Sequence, residues 1–172
     1  MKRTVCLAVY LLLWSPAAGL AQERPAAEVY VGFPLLFRET SSQLFGVHGD
    51  ITVNARQWLG VTGDVSLHVG EVFAEKSLFT GLAGPVLSAN AGSRLRVFGH
   101  ALFGVANSGC GEFNNGCRSD TVYSNALGGG LQVRPGNRWV FRVSAADLTT
   151  NFGGNNQHYL RLSFGVVLPI GE

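Results

Sequence analysis

LGVTGDVSLHV, residues 59–69, decides the fold. Taken two residues at a time, Leu59, Val61, Gly63, Val65, Leu67 and Val69 share one face. Gly60, Thr62, Asp64, Ser66 and His68 share the other. A period of two marks a strand, because side chains alternate across the pleat, and nothing in the run repeats at 3.6. The preceding stretch follows the same rule, with Phe45, Val47, Gly49, Ile51, Val53 and Ala55 opposed to Gly46, His48, Asp50, Thr52, Asn54 and Arg56.

The pattern extends in both directions. Val29, Val31, Phe33, Leu35 and Phe37 alternate with Glu28, Tyr30, Gly32 and Pro34. Leu95, Val97, Gly99, Ala101, Phe103 and Val105 alternate with Arg96, His100 and Gly104. Leu127, Gly129, Leu131 and Val133 oppose Gly128, Gly130, Gln132 and Arg134, and Trp139, Phe141, Val143 and Ala145 oppose Arg142 and Ser144. The last run sets Leu160, Leu162, Phe164, Val166, Leu168 and Ile170 against Tyr159, Arg161, Ser163 and Gly165. Residues 77–89 are apolar on both faces, and Gly84-Pro85 is a bulge candidate, so no register follows there. With that segment the runs predict eight strands.

Composition agrees. Of 172 residues, 14% are charged, 47% are hydrophobic and 23 are glycine, which excludes disorder and leaves room for one domain. Six prolines and those glycines punctuate the chain too often for long helices. Without Lys2 and Arg3 the basic and acidic residues balance, so no basic face for nucleic acid is expected.

Lys2 and Arg3 belong to a predicted signal peptide over residues 1–21. An apolar segment runs from Val5 to Trp14, and Gly19-Leu20-Ala21 offers small residues for cleavage before Gln22. The apolar segment is too short to span a bilayer. Cys6 would leave with it. Residues 22–172 then form the barrel and hold one cysteine pair, Cys110 and Cys117, in a Gly/Asn-rich segment. In an exported protein this pair reads as a disulfide across a small loop; zinc would want three or four ligands.

Two features place lipid on the apolar face. The polar face carries Asp50, Asp64, Arg96, Arg142 and Arg161 near strand centres, while the other face is almost free of charge. Trp58 and Trp139 sit by predicted short turns, and Phe37, Phe45, Tyr123, Phe152 and Tyr159 fall toward longer connectors, as in an aromatic girdle. The short connectors are 57–58, 90–94 and 135–137; the long ones are 38–44, 70–76, 107–121 and 148–157. Short turns at one end and long loops at the other fit an eight-stranded antiparallel up-and-down transmembrane β-barrel, closed because lipid tolerates no unpaired edge.

The chain resembles small bacterial outer-membrane β-barrel proteins of the OmpA/OmpX membrane-domain type, the outer membrane protein beta-barrel domain family. The likeness lies in 53–64 (VNARQWLGVTGD), Gly84-Pro85, 98–104 (FGHALFG), 126–131 (ALGGGL) and the closing strand. It implies location in the outer membrane, with that membrane's lipids and its barrel-assembly machinery as partners. The family's assembly signal is matched by Ser163, Gly165, Leu168 and Ile170, although the usual terminal aromatic is absent. A monomer is expected, and no cofactor, metal or nucleic acid.

The lumen of eight strands is just wide enough for its own side chains. A polar cluster of Glu28, Asp50, Arg56, Asp64, His68, Arg96, His100, Arg134, Arg142 and Arg161 is expected to fill it with ion pairs. The leading expectation is a non-enzymatic barrel with a structural or surface-interaction role through its loops. A narrow porin-like channel is the alternative. A lipid-modifying enzyme using Asp64, Ser66 and His68 is a third reading, but the His-x-Ser-Asn run of the lipid A deacylase type is matched neither at His100 nor at His158.

Overall fold

Each alternating run becomes a strand, since a backbone whose side chains must face lipid and lumen in turn satisfies its hydrogen bonds only by lateral pairing. The computed structural model describes residues 25–38, 43–69, 76–110, 120–136, 139–152 and 155–171. The strands are β1 (Ala27–Arg38), β2 (Gln43–Asn54), β3 (Leu59–Val69), β4 (Lys76–Asn90), β5 (Leu95–Cys110), β6 (Asp120–Val133), β7 (Val140–Phe152) and β8 (Asn155–Ile170). They pair antiparallel in chain order, and β1 closes on β8, from Ala27 opposite Ile170 to Arg38 opposite Tyr159. Closure removes both sheet edges.

The faces are those the alternation requires. Phe33 is 63% and Leu127 68% exposed on the outside, whereas Tyr30, Leu36 and His68 are fully buried inside. The outer band ends, toward the long connectors, at Ser77, Asn107, Asn125, Asp147 and His158; Asp147 and His158 form an exposed pair at 3.5 Å. Trp58 and Trp139 stand exposed at the other end. On β8 the band runs from Leu160 to Ile170. That is about 33 Å along the strand at about 3.3 Å per residue, and roughly 25 Å along the axis at a tilt near 40°.

Several expectations are corrected. β4 has a definite register: Leu78, Thr80, Leu82 and Val86 point inward and Phe79 and Leu87 outward. Gly84-Pro85 makes no bulge, because the pairs Ala83–Phe103 and Val86–His100 on either side keep one offset, and Val61–Pro85 continues the ladder on β3. Pro85 lacks only the N–H that would face β5. The expected long connector 148–157 is mostly strand, and so are both described ends of 107–121. Residues 107–110 pair with 120 and 121 or with β4, and Thr149–His158 through Phe152–Asn155 extend the last hairpin. Their polar composition reflects strands that continue beyond the apolar band. Tyr159 is no girdle residue; it points inward and is 7% exposed.

One close approach fixes the seam. The buried Tyr30 ring lies over Gly32 and Gly165, which face each other across β1 and β8. A Cβ at Gly32 would stand 2.2 Å from the Tyr30 hydroxyl, and one at Gly165 would stand 2.2 Å from the Val31 carbonyl oxygen. Only glycine lets the ring and both strands share this space. The proposed leader and Cys117 lie outside the described residues, while Cys110 ends β5 opposite Lys76.

Candidate functional site

The lumen is built in two layers, each filled by a different chemistry. Inward positions nearer the short turns carry ionic side chains. Arg142 on β7 donates to Asp50 Oδ2 at 2.6 Å and to Glu28 Oε2 at 3.3 Å. Arg96 on β5 also donates to Glu28, and Gln132 on β6 donates to the second Glu28 oxygen at 3.1 Å. The Arg142 guanidinium lies between two rings, 4.9 Å from the Tyr30 centroid and 5.1 Å from that of Phe98. The Thr52 hydroxyl lies 3.3 Å from Asp50 Oδ1 and 3.0 Å from Thr62 Oγ1, within reach of either acceptor, and links β2 to β3.

A second ionic group lies above it. Arg161 on β8 grips Asp64 on β3 with both terminal nitrogens, at 3.0 and 2.8 Å, in the bidentate geometry that suits guanidinium and carboxylate. Both side chains are 2% exposed. His48 on β2 completes the group, its Nε2 2.7 Å from Asp64 Oδ2, with its ring edge-on to Tyr30. The three acids Glu28, Asp50 and Asp64 thus face the three guanidinium groups of Arg96, Arg142 and Arg161. Charge in the lumen is balanced, as burial in low dielectric demands.

Toward the long connectors the filling turns apolar. Leu36, Leu78, Leu82, Leu102, Ala106, Ala126, Ala146, Leu148 and Tyr159 form one buried cluster. From Ser77 onward the described side chains of β4 supply no charge to the lumen, and two of its leucines join this cluster, which explains why its sequence is apolar on both faces. Among the ionic groups lies a cavity lined by Glu28, His48, Asp50, Asp64, Arg96 and Arg142 and reaching Leu102 of the apolar cluster. It offers about 30 Å³ to the centre of a water-sized sphere, space for about two waters. Tyr30 Oη, His48 Nδ1, His100 Nε2 and Arg142 Nε are buried beside it without a protein partner.

Of the ten residues expected in the polar cluster, Glu28, Asp50, Asp64, Arg142 and Arg161 meet as ion pairs, with Arg96 half-buried among them. His100 lines the cavity. His68 lies higher, fully buried, its Nδ1 3.4 Å from the Leu78 carbonyl oxygen. Arg56 stands in the exposed turn after β2, and Arg134 follows β6 at the rim, so neither joins the cluster. The ladder ends before each of them, and only a strand residue is aimed inward by the pleat. His48, Tyr30 and Gln132 were absent from the expected cluster. All three sit on inward rows, so alternation was the signal that could have found them.

Asp64, Ser66 and His68 share an inward row but make no hydrogen bonds with one another. Asp64 is held by Arg161 and His48, Ser66 pairs with Thr80 at 2.6 Å, and His68 turns to β4. Among the described residues no group of three His, Cys, Asp or Glu side chains could hold a metal ion. Of the assembly-signal positions, Ser163 and Gly165 face the lumen and Leu168 and Ile170 face outward.

No protein-family model matches the chain, and no curated protein matches it. Solved structures do. Neisserial surface protein A superposes with a TM-score of 0.66 at 8% identity, over 84% of this chain and 96% of the other. The N-terminal β-barrel domain of Pseudomonas aeruginosa OprF gives 0.57 at 12% identity, over 85% and 100%. Ail, the attachment invasion locus protein of Yersinia pestis, gives 0.51 at 17% identity, over 85% and 100%. At such identities the likeness is one of fold, and this chain has the fold of small outer-membrane β-barrels.

Proposed function

We propose that this protein is an integral outer-membrane barrel that neither conducts nor catalyses, and that it acts as a stable scaffold presenting its long connectors at the cell surface. The observation that carries this reading is the two-layer lumen. Ion pairs join β1, β2, β3, β5, β7 and β8 across the interior, and an apolar cluster closes the space above them. A cavity with space for about two waters that ends against leucines holds water but passes no solute. The outer band, about 25 Å tall and bounded by tryptophans at one end, matches the apolar height of outer-membrane barrels. Two neighbours in fold are named for surface location and for attachment and invasion; this is the class of role proposed here.

The test pairs two measurements on one sample. A sample refolded in detergent should migrate differently on a denaturing gel before and after boiling, and in planar bilayers it should give no reproducible unitary current. A discrete, reproducible conductance would replace the scaffold reading with a narrow channel. Identical migration with and without boiling would remove the barrel reading itself.

A further inference from the structure

The charges outside the lumen are not spread evenly. Arg56 lies in the turn between β2 and β3, Arg94 in the turn between β4 and β5, and Arg134 at the start of the connector between β6 and β7. Each short connector of the barrel thus carries arginine, the last also holding Arg138 outside the described residues, and none of the described residues of these turns is acidic. Among the described residues none of the three has an ion-pair partner, in contrast to Arg96, Arg142 and Arg161 inside. Arg56 and Arg94 are exposed and Arg134 is half-buried. Arg94 and Arg134 lie on adjoining segments, since the Arg134 N–H donates to the Arg94 carbonyl at 2.8 Å.

We propose that this rim recognises the headgroups of anionic phospholipids in the leaflet at the short-turn end, a reading that rests on the membrane barrel proposed above. Three observations point to a lipid surface. The charges sit on every short turn around a ring and so match a plane of anions better than one compact ligand. They adjoin the apolar band without a gap, as Arg56 is two residues from Trp58. Trp58 and Trp139, 52% and 56% exposed, mark the level at which amphipathic rings meet headgroups. A guanidinium at that level reaches a lipid phosphate in its bidentate geometry, and its attraction to an anionic surface is lost within a Debye length. The opposite end offers no such match, since its described charges include the exposed Asp120 and Asp147.

The two tryptophans supply the probe. In the full chain carrying Trp14→Phe, Trp58 and Trp139 are the only tryptophans, and both report from the rim. The protein is reconstituted into phosphatidylcholine vesicles containing phosphatidylglycerol, with bromine placed on the acyl chains of one lipid or the other at equal mole fraction. Brominated phosphatidylglycerol is expected to quench as though enriched about twofold around the rim, and this excess should vanish in roughly 1 M salt. R56Q/R94Q/R134Q/R138Q should quench equally with either lipid, while R56K/R94K/R134K/R138K, which keeps the charge, should retain a preference. Equal quenching by both lipids in the parent chain would overturn the proposal and leave the barrel reading intact. A preference that survives in R56Q/R94Q/R134Q/R138Q would overturn it as well. Quenching by neither lipid would mean the rim is not at a bilayer, and the barrel reading would fail with it.

Discussion

Removing Arg161 should cost as much stability as truncating its partner Asp64, and removing both should restore most of the loss. Arg161 and Asp64 are each 2% exposed and meet through two hydrogen bonds of 3.0 and 2.8 Å. Arg161→Met leaves the Asp64 carboxylate buried with His48 alone, a loss of about 3–5 kcal/mol for a broken buried pair. Asp64→Leu strands the guanidinium and should lose a similar amount. The double variant removes both charges, and a buried pair replaced by apolar side chains is often close to neutral. It should lose only about 1–3 kcal/mol, mainly because His48 Nε2 is left without its acceptor. The two single losses should therefore exceed the double loss by roughly 3 kcal/mol or more. Urea titration of the refolded protein in vesicles, followed by fluorescence and by the folded band on unboiled gels, gives all four corners of the cycle. Additivity within about 0.5 kcal/mol would show that the two residues do not act as a pair and would refute the reasoning.

At the seam, Gly165→Ala would place a Cβ 2.2 Å from the Val31 carbonyl oxygen and should destabilise closure by about 1–3 kcal/mol, whereas Gly63→Ala, with nothing within 4 Å, should stay within about 0.5 kcal/mol in the same titration. On the outer face, Val65→Arg should lose about 2–4 kcal/mol in a bilayer and Tyr123→Arg, near the connector end, no more than about 1; equal losses would place the apolar band elsewhere. In the connector between β5 and β6, a Cys110–Cys117 bridge would close a short ring. Cys110→Ser with Cys117→Ser should leave the heat-dependent gel shift intact and raise protease cleavage between residues 107 and 121, and loss of the shift would make the bridge essential to the barrel.

The fold was legible because a membrane barrel writes its two environments into one chain at the shortest possible period. Val61, Val65 and Leu67 against Thr62, Asp64 and Ser66 state which way each side chain points, and no contact information is needed to read it. Where both environments are apolar the signal fails. β4 faces lipid on one side and the leucine cluster on the other, so its period disappears although its pairing is as regular as any in the barrel. Polar runs mislead for the converse reason. Thr149–His158 and Thr150–Gln157 keep their ladder above the lipid-facing band, where the outward positions are polar too and composition no longer separates strand from loop.

The candidate site was legible by face but not by level. Period two says that Glu28, Asp64, Arg142 and Arg161 all enter the lumen, yet it cannot say which acid meets which base. The tilt and stagger of the strands carry residues far apart in the chain to the same height. Arg142 therefore meets Glu28 and Asp50 rather than Asp64, and Arg161 takes Asp64 instead. Height also separates His68, beside the Leu78 carbonyl, from His48, which is in contact with Asp64. The same stagger excludes Arg56 and Arg134, which continue their runs by arithmetic but lie past the last ladder pairs, Ala27–Val53 and Leu95–Val133. Freed from the lumen, they stand at the rim, so the boundary of the ladder is what divides the arginines that neutralise the interior from those proposed to meet a lipid surface.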